Sequence, residues 1–356
     1  MALMSLPTRP LGTSGLEITR VGLGAWAIGG GDWEFGWGPQ DDQDSIDAMH
    51  RAVDLGVNWI DTAAIYGHGH SEKVVGRFLK ELPKADRPQV FTKCGVVWDE
   101  RDPLAPERRT LRPESIRREC EASLRRLDVE RIDLYQIHWP DKEGTPLEVS
   151  WGTMNRLVDE GKVRAIGVSN YDVEMLERCE AVRHVDSLQP VFSLVRRHTG
   201  PEEIAWAAEH ETGVIVYSPM ESGLLTDSFT RERIERMAEG DWRRRSFRFQ
   251  EPELSRILEL RDALGPIAER HGSSIAAVAV AWTLAWPGVT GAIVGARSAD
   301  QVDGWVGAAS LALTAADLDE IAVAIERSGA GEGPARDCLV QGRKTSLIRT
   351  VAAAPT

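Results

Sequence analysis

Short apolar segments rich in Val and Ile alternate with longer amphipathic segments along most of this chain. Strands that alternate with helices predict parallel pairing through right-handed crossovers. Eight such units favour a closed α/β barrel, the (β/α)8 TIM barrel, over an open doubly wound sheet. The predicted strands are 20–24, 58–63, 89–93, 132–138, 163–169, 187–193, 213–219 and 291–296.

The chain is expected to form one domain, because no linker divides its 356 residues. Residues 1–329 are assigned to the barrel, and the segment 11–20 reads as a hairpin that closes the barrel bottom. The Arg-rich segment 220–250 is predicted to be a polar loop. The tail 330–356 is rich in Gly, Ala and Pro, and partial disorder is expected there.

Three residues mark predicted helix ends. Gly56 is expected just past a helix that begins near residue 44, because glycine tolerates a left-handed C-terminal cap. Ser71 is expected to cap the N-terminus of the next helix, and Pro113 to stand near the start of another.

Charge and cysteine usage exclude several classes of protein. The formal net charge is −13, which opposes binding to nucleic acid or to anionic membranes. The arginines within 243–248 are interpreted as a solvated run. Four scattered cysteines predict neither a disulfide framework nor a zinc site, and no signal peptide or apolar span is visible. The expected location is the cytoplasm; the oligomeric state is not readable.

Four ionisable side chains fall at or just after three consecutive predicted strands. Asp61 ends the second strand, Tyr66 follows five residues later, and Lys93 and His138 end the third and fourth strands. Barrel active sites lie at the carboxyl ends of the strands, so these groups are expected to converge on one mouth.

Together these groups suit proton donation to a carbonyl oxygen. A phenol such as that of Tyr66 is a poor proton donor at neutral pH unless a cation stabilises its phenolate. Lys93 would supply that cation, Asp61 would keep it charged, and His138 would orient a carbonyl. Such a site is what carbonyl reduction requires.

The segments NWIDTAAIYGHGHSEKVVG, FTKC, DLYQIHWP, GKVRAIGVSN and VYSPMESGLL, in this order, resemble the aldo-keto reductases. The resemblance covers residues 10–325 and implies a TIM barrel that transfers hydride between NADPH and an aldehyde, ketone or sugar. It places the catalytic tetrad on Asp61, Tyr66, Lys93 and His138, with Tyr66 as the general acid.

The same resemblance implies the cofactor contacts. Tyr217 would stack on the nicotinamide and Arg297 would pair with a 2′-phosphate, which favours NADPH over NADH. The alternatives are that Tyr217 packs in the core and that Arg297 is a surface charge. Gly295, Ala296 and Trp305 depart from the residues common in the family. The implied contacts are Ala25, Trp26, Ser169, Asn170, Gln189, Tyr217, Ser218, Pro219, Gly223, Leu225, Gly295, Ala296, Arg297 and Gln301.

The chain has 12 Trp against 4 Tyr and 7 Phe, and several Trp follow predicted strands. Flat indoles bind apolar or ring-shaped ligands, sugars included. We therefore expect a small-molecule carbonyl or sugar substrate, and the predicted substrate wall is Trp26, Trp33, Trp98 and Trp139.

Two motifs suggest other functions. Gly22, Gly24 and Ala27 fit a dinucleotide fingerprint, but a run of glycines follows instead of the helix that this motif needs. His68 and His70 suggest a metal-dependent hydrolase, although they lie in a loop rather than on a strand, and no metal site is predicted. A cofactor-binding regulatory subunit with slow turnover is the other alternative.

Overall fold

The computed structural model describes residues 6–31, 33, 35–99, 101–102 and 105–337. Eight parallel strands close into a barrel in the order β10-β11-β12-β3-β4-β5-β8-β9, which confirms the predicted TIM barrel. The strands are β1 (Thr8–Pro10), β2 (Glu17–Thr19), β3 (Val21–Gly24), β4 (Trp59–Asp61), β5 (Gln89–Cys94), β6 (Val96–Val97), β7 (Arg108–Arg109), β8 (Ile132–Ile137), β9 (Val163–Ser169), β10 (Ser187–Gln189), β11 (Gly213–Tyr217) and β12 (Gly291–Gly295).

Helices surround the barrel and connect its strands. Their bounds are α1 (Asp42–Asp54), α2 (His70–Glu81), α3 (Pro113–Leu127), α4 (Leu147–Asp159), α5 (Val173–Glu180), α6 (Ala205–Glu209), α7 (Arg231–Glu235), α8 (Glu253–Ala263), α9 (Gly265–Arg270), α10 (Ile275–Ala285), α11 (Ala299–Val306) and α12 (Ala315–Ser328). In the part of the chain that the structure describes, no helix combines the length and apolarity needed to cross a membrane.

The barrel closes between β12 and β3, where Ile293 pairs with Gly22 and Gly295 with Gly24. The glycine at position 22 is required by packing, because a Cβ there would lie 2.1 Å from the indole ring of Trp59. Gly22 is therefore a packing glycine of the barrel interior and not part of a nucleotide-binding loop.

The hairpin β1–β2 closes the bottom of the barrel, as the sequence predicted. Thr8 pairs with Thr19 and Pro10 with Glu17. Its apolar side chains belong to the cluster inside the barrel, which comprises Leu11, Leu16, Ile18, Trp59, Phe91, Leu134, Ala165, Ile215 and Ile293. Because this end is filled, the carboxyl ends of the strands form the open mouth.

Helix α2 begins two residues earlier than predicted. Its N-terminal cap is Gly69, with φ of 90°, and Ser71 lies inside the helix. The Ser71 hydroxyl donates to the carbonyl of Ala25 at 2.9 Å and lies 2.9 Å from the Thr62 hydroxyl. Ser71 therefore ties α2 to the two strands that precede it, a contact that local sequence does not reveal.

The segment 220–250 is more structured than the predicted loop. It contains α7 and short 3-10 helices at Glu221–Gly223, Trp242–Arg245 and Phe247–Phe249. The interpretation of the 243–248 run as solvated is wrong for Arg243, whose side chain is buried and paired with Asp241 at 2.5 Å. Arg244 and Arg245 do face solvent.

The predicted boundary at residue 329 coincides with the end of α12, which is followed by Gly329 in a left-handed conformation. The next residues still contact the barrel, because the Arg197 amide donates to the carbonyl of Glu332 at 2.8 Å. Residues 338–356, to which most of the predicted disordered tail belongs, lie outside the described residues.

Candidate active site

The four ionisable groups meet at the barrel mouth. Asp61 ends β4, Lys93 is the fifth residue of β5, and His138 directly follows β8. Tyr66 stands in the connection from β4 to α2. The parallel register pairs Asp61 with Phe91, two residues before Lys93, which keeps these strand ends at one level.

Lys93 is the centre of this group. Its Nζ lies 2.5 Å from Oδ1 of Asp61 and donates to the carbonyl of Thr62 at 2.9 Å. The same ammonium donates to Oη of Tyr66 at 3.4 Å. Lys93 and Asp61 are both buried, so each charge depends on the other for compensation.

Burial raises the pKa of Asp61 and lowers that of Lys93, and each shift is opposed by the charge of the partner. Burial, and then the charge of Asp61, raises the pKa of the Tyr66 phenol well above 10.0. The site therefore holds Tyr66 as a neutral phenol that has a proton to give.

His138 lies at the cavity wall, with its ring centroid 5.7 Å from that of Tyr66 and nearly perpendicular to it. Burial, with the charges of Lys93 and Arg109, lowers the pKa of His138 well below 6.5. Its imidazole is neutral at pH 7 and carries one N–H that can donate to a carbonyl oxygen.

Two buried carboxylates brace the strand that carries Lys93. Glu72 of α2 accepts from the Thr92 hydroxyl at 2.6 Å and from Nε of Arg126 at 2.6 Å. Glu119 of α3 accepts from the Gly95 amide at 2.8 Å. Strand β5 is thus fixed on both sides of Lys93 by side chains of the surrounding helices.

A cavity of about 1130 Å³ opens above the tetrad. Three residues of the predicted substrate wall, Trp26, Trp33 and Trp139, line this cavity. Trp98 is not among the described residues that line it; its ring stacks on His68 with centroids 5.3 Å apart, beneath the guanidinium of Arg126. The described lining of the cavity thus does not include Trp98, and its contact with a substrate stays a prediction.

Four of the predicted nicotinamide contacts form a connected set on β9, β10 and β11. Tyr217 donates from its phenol to Oδ1 of Asn170 at 2.9 Å, and Asn170 donates to Ser169 Oγ at 3.0 Å. Gln189 donates from Nε2 to Oδ2 of Asp61 at 2.9 Å. All four line the cavity, so Tyr217 is not confined to core packing.

The loop after β11 has an unusual backbone. Positive φ values occur at Ser218 (59°), Glu221 (46°), Ser222 (55°) and Gly223 (97°). Successive residues in such conformations form concavities lined by main-chain N–H groups, which suit anions. Ser218, Pro219 and Gly223 line the cavity, whereas Leu225 is buried between the barrel and its helices and does not reach it.

Arg297 follows β12 at the far end of the cavity. Its Nε donates to Oε1 of Gln40 at 2.6 Å, and its terminal nitrogens contact the carbonyls of Trp37 and Pro39. The guanidinium is half-buried rather than free in solvent. Ala25, Gly295, Ala296 and Gln301 line the same cavity.

Sequence reasoning missed an aromatic cluster above the cavity. Trp242 stacks on Trp26 with ring centroids 5.4 Å apart, and Trp37 meets both rings edge-on. Arg243 lies over the Trp37 ring at 4.3 Å. The excess of Trp was the available signal, but which loops meet depends on the tertiary fold.

His68 and His70 are separated by their partners. His70 Nε2 lies 2.8 Å from Asp42 Oδ1, whereas His68 stacks on Trp98 and faces Glu107 at 3.7 Å. Among the described residues, no group of three or more His, Cys, Asp or Glu side chains is arranged to hold a metal.

Comparison with known proteins agrees with this geometry. The sequence model described as the aldo/keto reductase family matches residues 20–326. The chain belongs to the aldo/keto reductase family. It is therefore an oxidoreductase that acts on carbonyl and alcohol groups with a nicotinamide cofactor. The hydrolase alternative receives no support.

Two curated relatives have similar length. The chain is 36% identical over 330 residues to the NADH-specific methylglyoxal reductase of Escherichia coli, covering 89% of this chain and 99% of the relative. It is 35% identical over 317 residues to the aldo-keto reductase YhdN of Bacillus subtilis, covering 88% of this chain and 92% of the relative.

Solved structures share the whole fold. The glycerol dehydrogenase AKR11B4 from Gluconobacter oxydans superposes with a TM-score of 0.81 at 36% identity, covering 94% of this chain and 98% of that one. The aldo-keto reductase AKR11C1 from Bacillus halodurans, in its holo form, gives a TM-score of 0.73 at 25% identity, with 90% and 96% covered.

Proposed function

We propose that this aldo-keto reductase uses NADPH in preference to NADH to reduce the carbonyl of an aldehyde, ketone or sugar, with Tyr66 as the general acid. The observation that carries the proposal is the position of Lys93, whose ammonium contacts both the Asp61 carboxylate and the Tyr66 phenol. That contact stabilises a phenolate at the moment the proton leaves.

Each residue of the tetrad has a distinct task in this proposal. Tyr66 gives its proton to the oxygen of the substrate as negative charge develops there. Lys93 stabilises the resulting phenolate, and Asp61 keeps Lys93 charged. His138 donates a hydrogen bond to the carbonyl oxygen and orients it. The nicotinamide, when bound, supplies the hydride.

The cavity suits an anionic dinucleotide. Among the described residues that line it, Arg and Lys outnumber Asp and Glu, although the whole chain carries a net charge of −13. The positive-φ loop at 218–223 supports a pyrophosphate contact. The buried indole N–H groups of Trp26, Trp37 and Trp242 have no hydrogen-bond partner among the described residues, which supports a ligand-binding role for this wall.

Preference for NADPH is supported by the cations at the adenosine end. Arg297 lines this end, and burial, followed by the charges of Arg243 and Arg233, lowers its pKa. A 2′-phosphate placed among them would form charge-assisted, bidentate hydrogen bonds. The Escherichia coli relative is described as NADH-specific, so the preference needs a direct test.

Titration of the apo-protein with each cofactor, followed by tryptophan quenching, tests that preference. We expect tighter binding of NADPH than of NADH, and loss of the difference in Arg297→Ala. The nearby exposed Arg244→Ala removes the same charge and serves as the control. Equal affinity of the wild type for both cofactors would contradict the preference, and binding of neither would contradict the reductase function.

The role of Tyr66 is tested by Tyr66→Phe. We expect kcat for carbonyl reduction to fall by about 10²- to 10⁴-fold, the usual contribution of general acid catalysis, with NADPH quenching retained. Tyr171→Phe, which removes a buried phenol away from the cavity, is the matched control. A wild type that binds NADPH but reduces no carbonyl would favour the regulatory alternative.

A further inference from the structure

An arginine outside the tetrad stands at the substrate side of the cavity. Arg109 belongs to the short strand β7, which pairs with β6 and places Arg109 opposite Val96. The guanidinium lies over the indole ring of Trp139 at 4.3 Å, and both residues line the cavity. Burial, then the charge of Lys93 and then that of Arg109, lowers the pKa of the neighbouring His138.

Among the described residues, no acidic side chain forms an ion pair with Arg109. Across the described ranges its only recorded side-chain contact is the Trp139 ring, and it forms no ion pair. By contrast, the neighbouring Arg108 pairs with Glu143 at 3.2 Å. A half-buried cation without a counter-ion, set in a cavity, leaves its hydrogen-bonding N–H groups for a ligand.

The nearby carboxylates are already engaged with other groups. Glu143 contacts Arg108 and Arg112, and Glu107 faces His68 at 3.7 Å. Asp141 accepts from the amides of Leu111, Glu143 and Thr145, hydrogen bonds that lower its pKa. Within the described ranges, none of these carboxylates is paired with Arg109.

We infer that Arg109 binds an oxyanion group of the substrate, a carboxylate or a phosphate carried by the same small molecule as the carbonyl. This inference rests on the proposed function and specifies its substrate class. Stacking on Trp139 fixes the plane of the guanidinium, which then presents paired N–H groups that match an oxyanion. Because the protein is acidic overall, a local cation is needed to attract an anionic substrate.

Matched pairs of substrates test the inference. Succinic semialdehyde and butanal differ by a carboxylate, and glyceraldehyde 3-phosphate and glyceraldehyde differ by a phosphate. We expect kcat/KM to favour the charged member of at least one pair, and the pair that shows this identifies the oxyanion. In Arg109→Gln the preference should fall by about 10- to 100-fold, as for loss of a charge-assisted hydrogen bond.

Two further variants separate recognition from packing and from general charge. Arg109→Lys keeps the charge but loses the paired geometry, so it should restore part of the preference. Arg108→Gln removes the same charge from the adjacent residue and should keep the wild-type preference. An equal loss on charged and neutral aldehydes in Arg109→Gln would make Arg109 a packing partner of Trp139 and overturn the inference.

A binding measurement makes the test independent of turnover. With NADP⁺ present, 4-hydroxybutyrate should quench tryptophan fluorescence more strongly than 1-butanol, and Arg109→Gln should abolish the difference. This result without carbonyl reduction would support the role of Arg109 while the proposed function fails. No difference between the two alcohols, with neutral aldehydes still reduced, would overturn the role of Arg109 and leave the proposed function intact.

Discussion

Nζ of Lys93 lies 2.5 Å from Oδ1 of Asp61 in a site where both side chains are buried. The second carboxylate oxygen, Oδ2, accepts from Nε2 of Gln189 at 2.9 Å. The pair is therefore shielded from water, and the side-chain amide of Gln189 partly compensates the negative charge of the Asp61 carboxylate. Removing either member leaves a buried charge without its counter-ion.

Asp61→Asn is expected to lower both activity and stability. The variant leaves the buried Lys93 without a counter-ion, which costs about 3–5 kcal/mol in the free energy of unfolding. Lys93 then favours its neutral form, so the cation that stabilises the Tyr66 phenolate is lost and kcat falls. Urea unfolding and steady-state kinetics measure the two effects.

The double variant Asp61→Asn/Lys93→Met is the control for this interpretation. Because both charges are gone, the double variant should be more stable than predicted by adding the losses in free energy of unfolding of Asp61→Asn and Lys93→Met. Additive losses, within about 0.5 kcal/mol, would mean that the two residues do not depend on each other.

His138 makes the stability of the fold sensitive to acid. Its pKa in the folded protein is well below 6.5 because of burial and the charges of Lys93 and Arg109. As the pH falls below the pKa of an ordinary histidine, His138 is protonated in the unfolded chain but stays neutral in the folded protein. The free energy of unfolding therefore decreases. Above about pH 6.5 the contribution is fully present.

We therefore expect the free energy of unfolding of His138→Asn to fall less than that of the wild type between pH 7 and pH 5. Urea unfolding at pH 7 and pH 5 gives the change in the free energy of unfolding for each protein. Because both proteins contain the other histidines, the difference between the two changes reports on His138 alone. Identical slopes for the two proteins would show that His138 titrates normally in the fold.

Glu119 has the opposite pH dependence. Burial raises its pKa to about 7, against hydrogen bonds from the Gly95 amide and the Ser115 hydroxyl. The stability that comes from its protonated form is present below pH 4.5 and is lost as the pH rises through about 7. At higher pH the fold holds a buried carboxylate.

Glu119→Gln should therefore match the wild type at pH 5 and exceed it at pH 8.5 by about 2–3 kcal/mol in the free energy of unfolding. The amide keeps a carbonyl oxygen for the Gly95 N–H, so strand β5 stays braced. Urea unfolding at the two pH values measures this. A variant less stable than the wild type at pH 8.5 would show that the Glu119 carboxylate stabilises the fold.

The barrel and its tetrad were predictable because both depend on local pattern. Each predicted strand overlaps an observed strand of the barrel, since apolar runs of that length between amphipathic helices have few other folds. Asp61, Lys93 and His138 converge because parallel strands bring their carboxyl ends to one edge. The position of Tyr66 at the same mouth was predictable because it lies only a few residues after Asp61 in the chain.

The contacts that sequence reasoning did not predict join distant loops. Trp98 follows a strand, but its partners His68 and Arg126 come from other parts of the chain. Arg109 sits in a charged stretch like many solvated ones, and only the β6–β7 pairing brings it to Trp139. Sequence periodicity contains no information on such pairings.

The ring of Trp242 stacks on that of Trp26, with centroids 5.4 Å apart. Trp242 belongs to the segment 220–250, and Trp26 follows β3, so the stacked rings join two loops across the cavity. An aromatic pair contributes about 0.5–1.5 kcal/mol beyond buried area. Trp242→Ala should therefore release NADPH faster and weaken its binding by about 2- to 12-fold. Stopped-flow dissociation measures this rate. The rate for Trp242→Phe is expected to lie between those of the wild type and Trp242→Ala. Unchanged release in Trp242→Ala would mean that the two loops do not need to separate for the cofactor to leave.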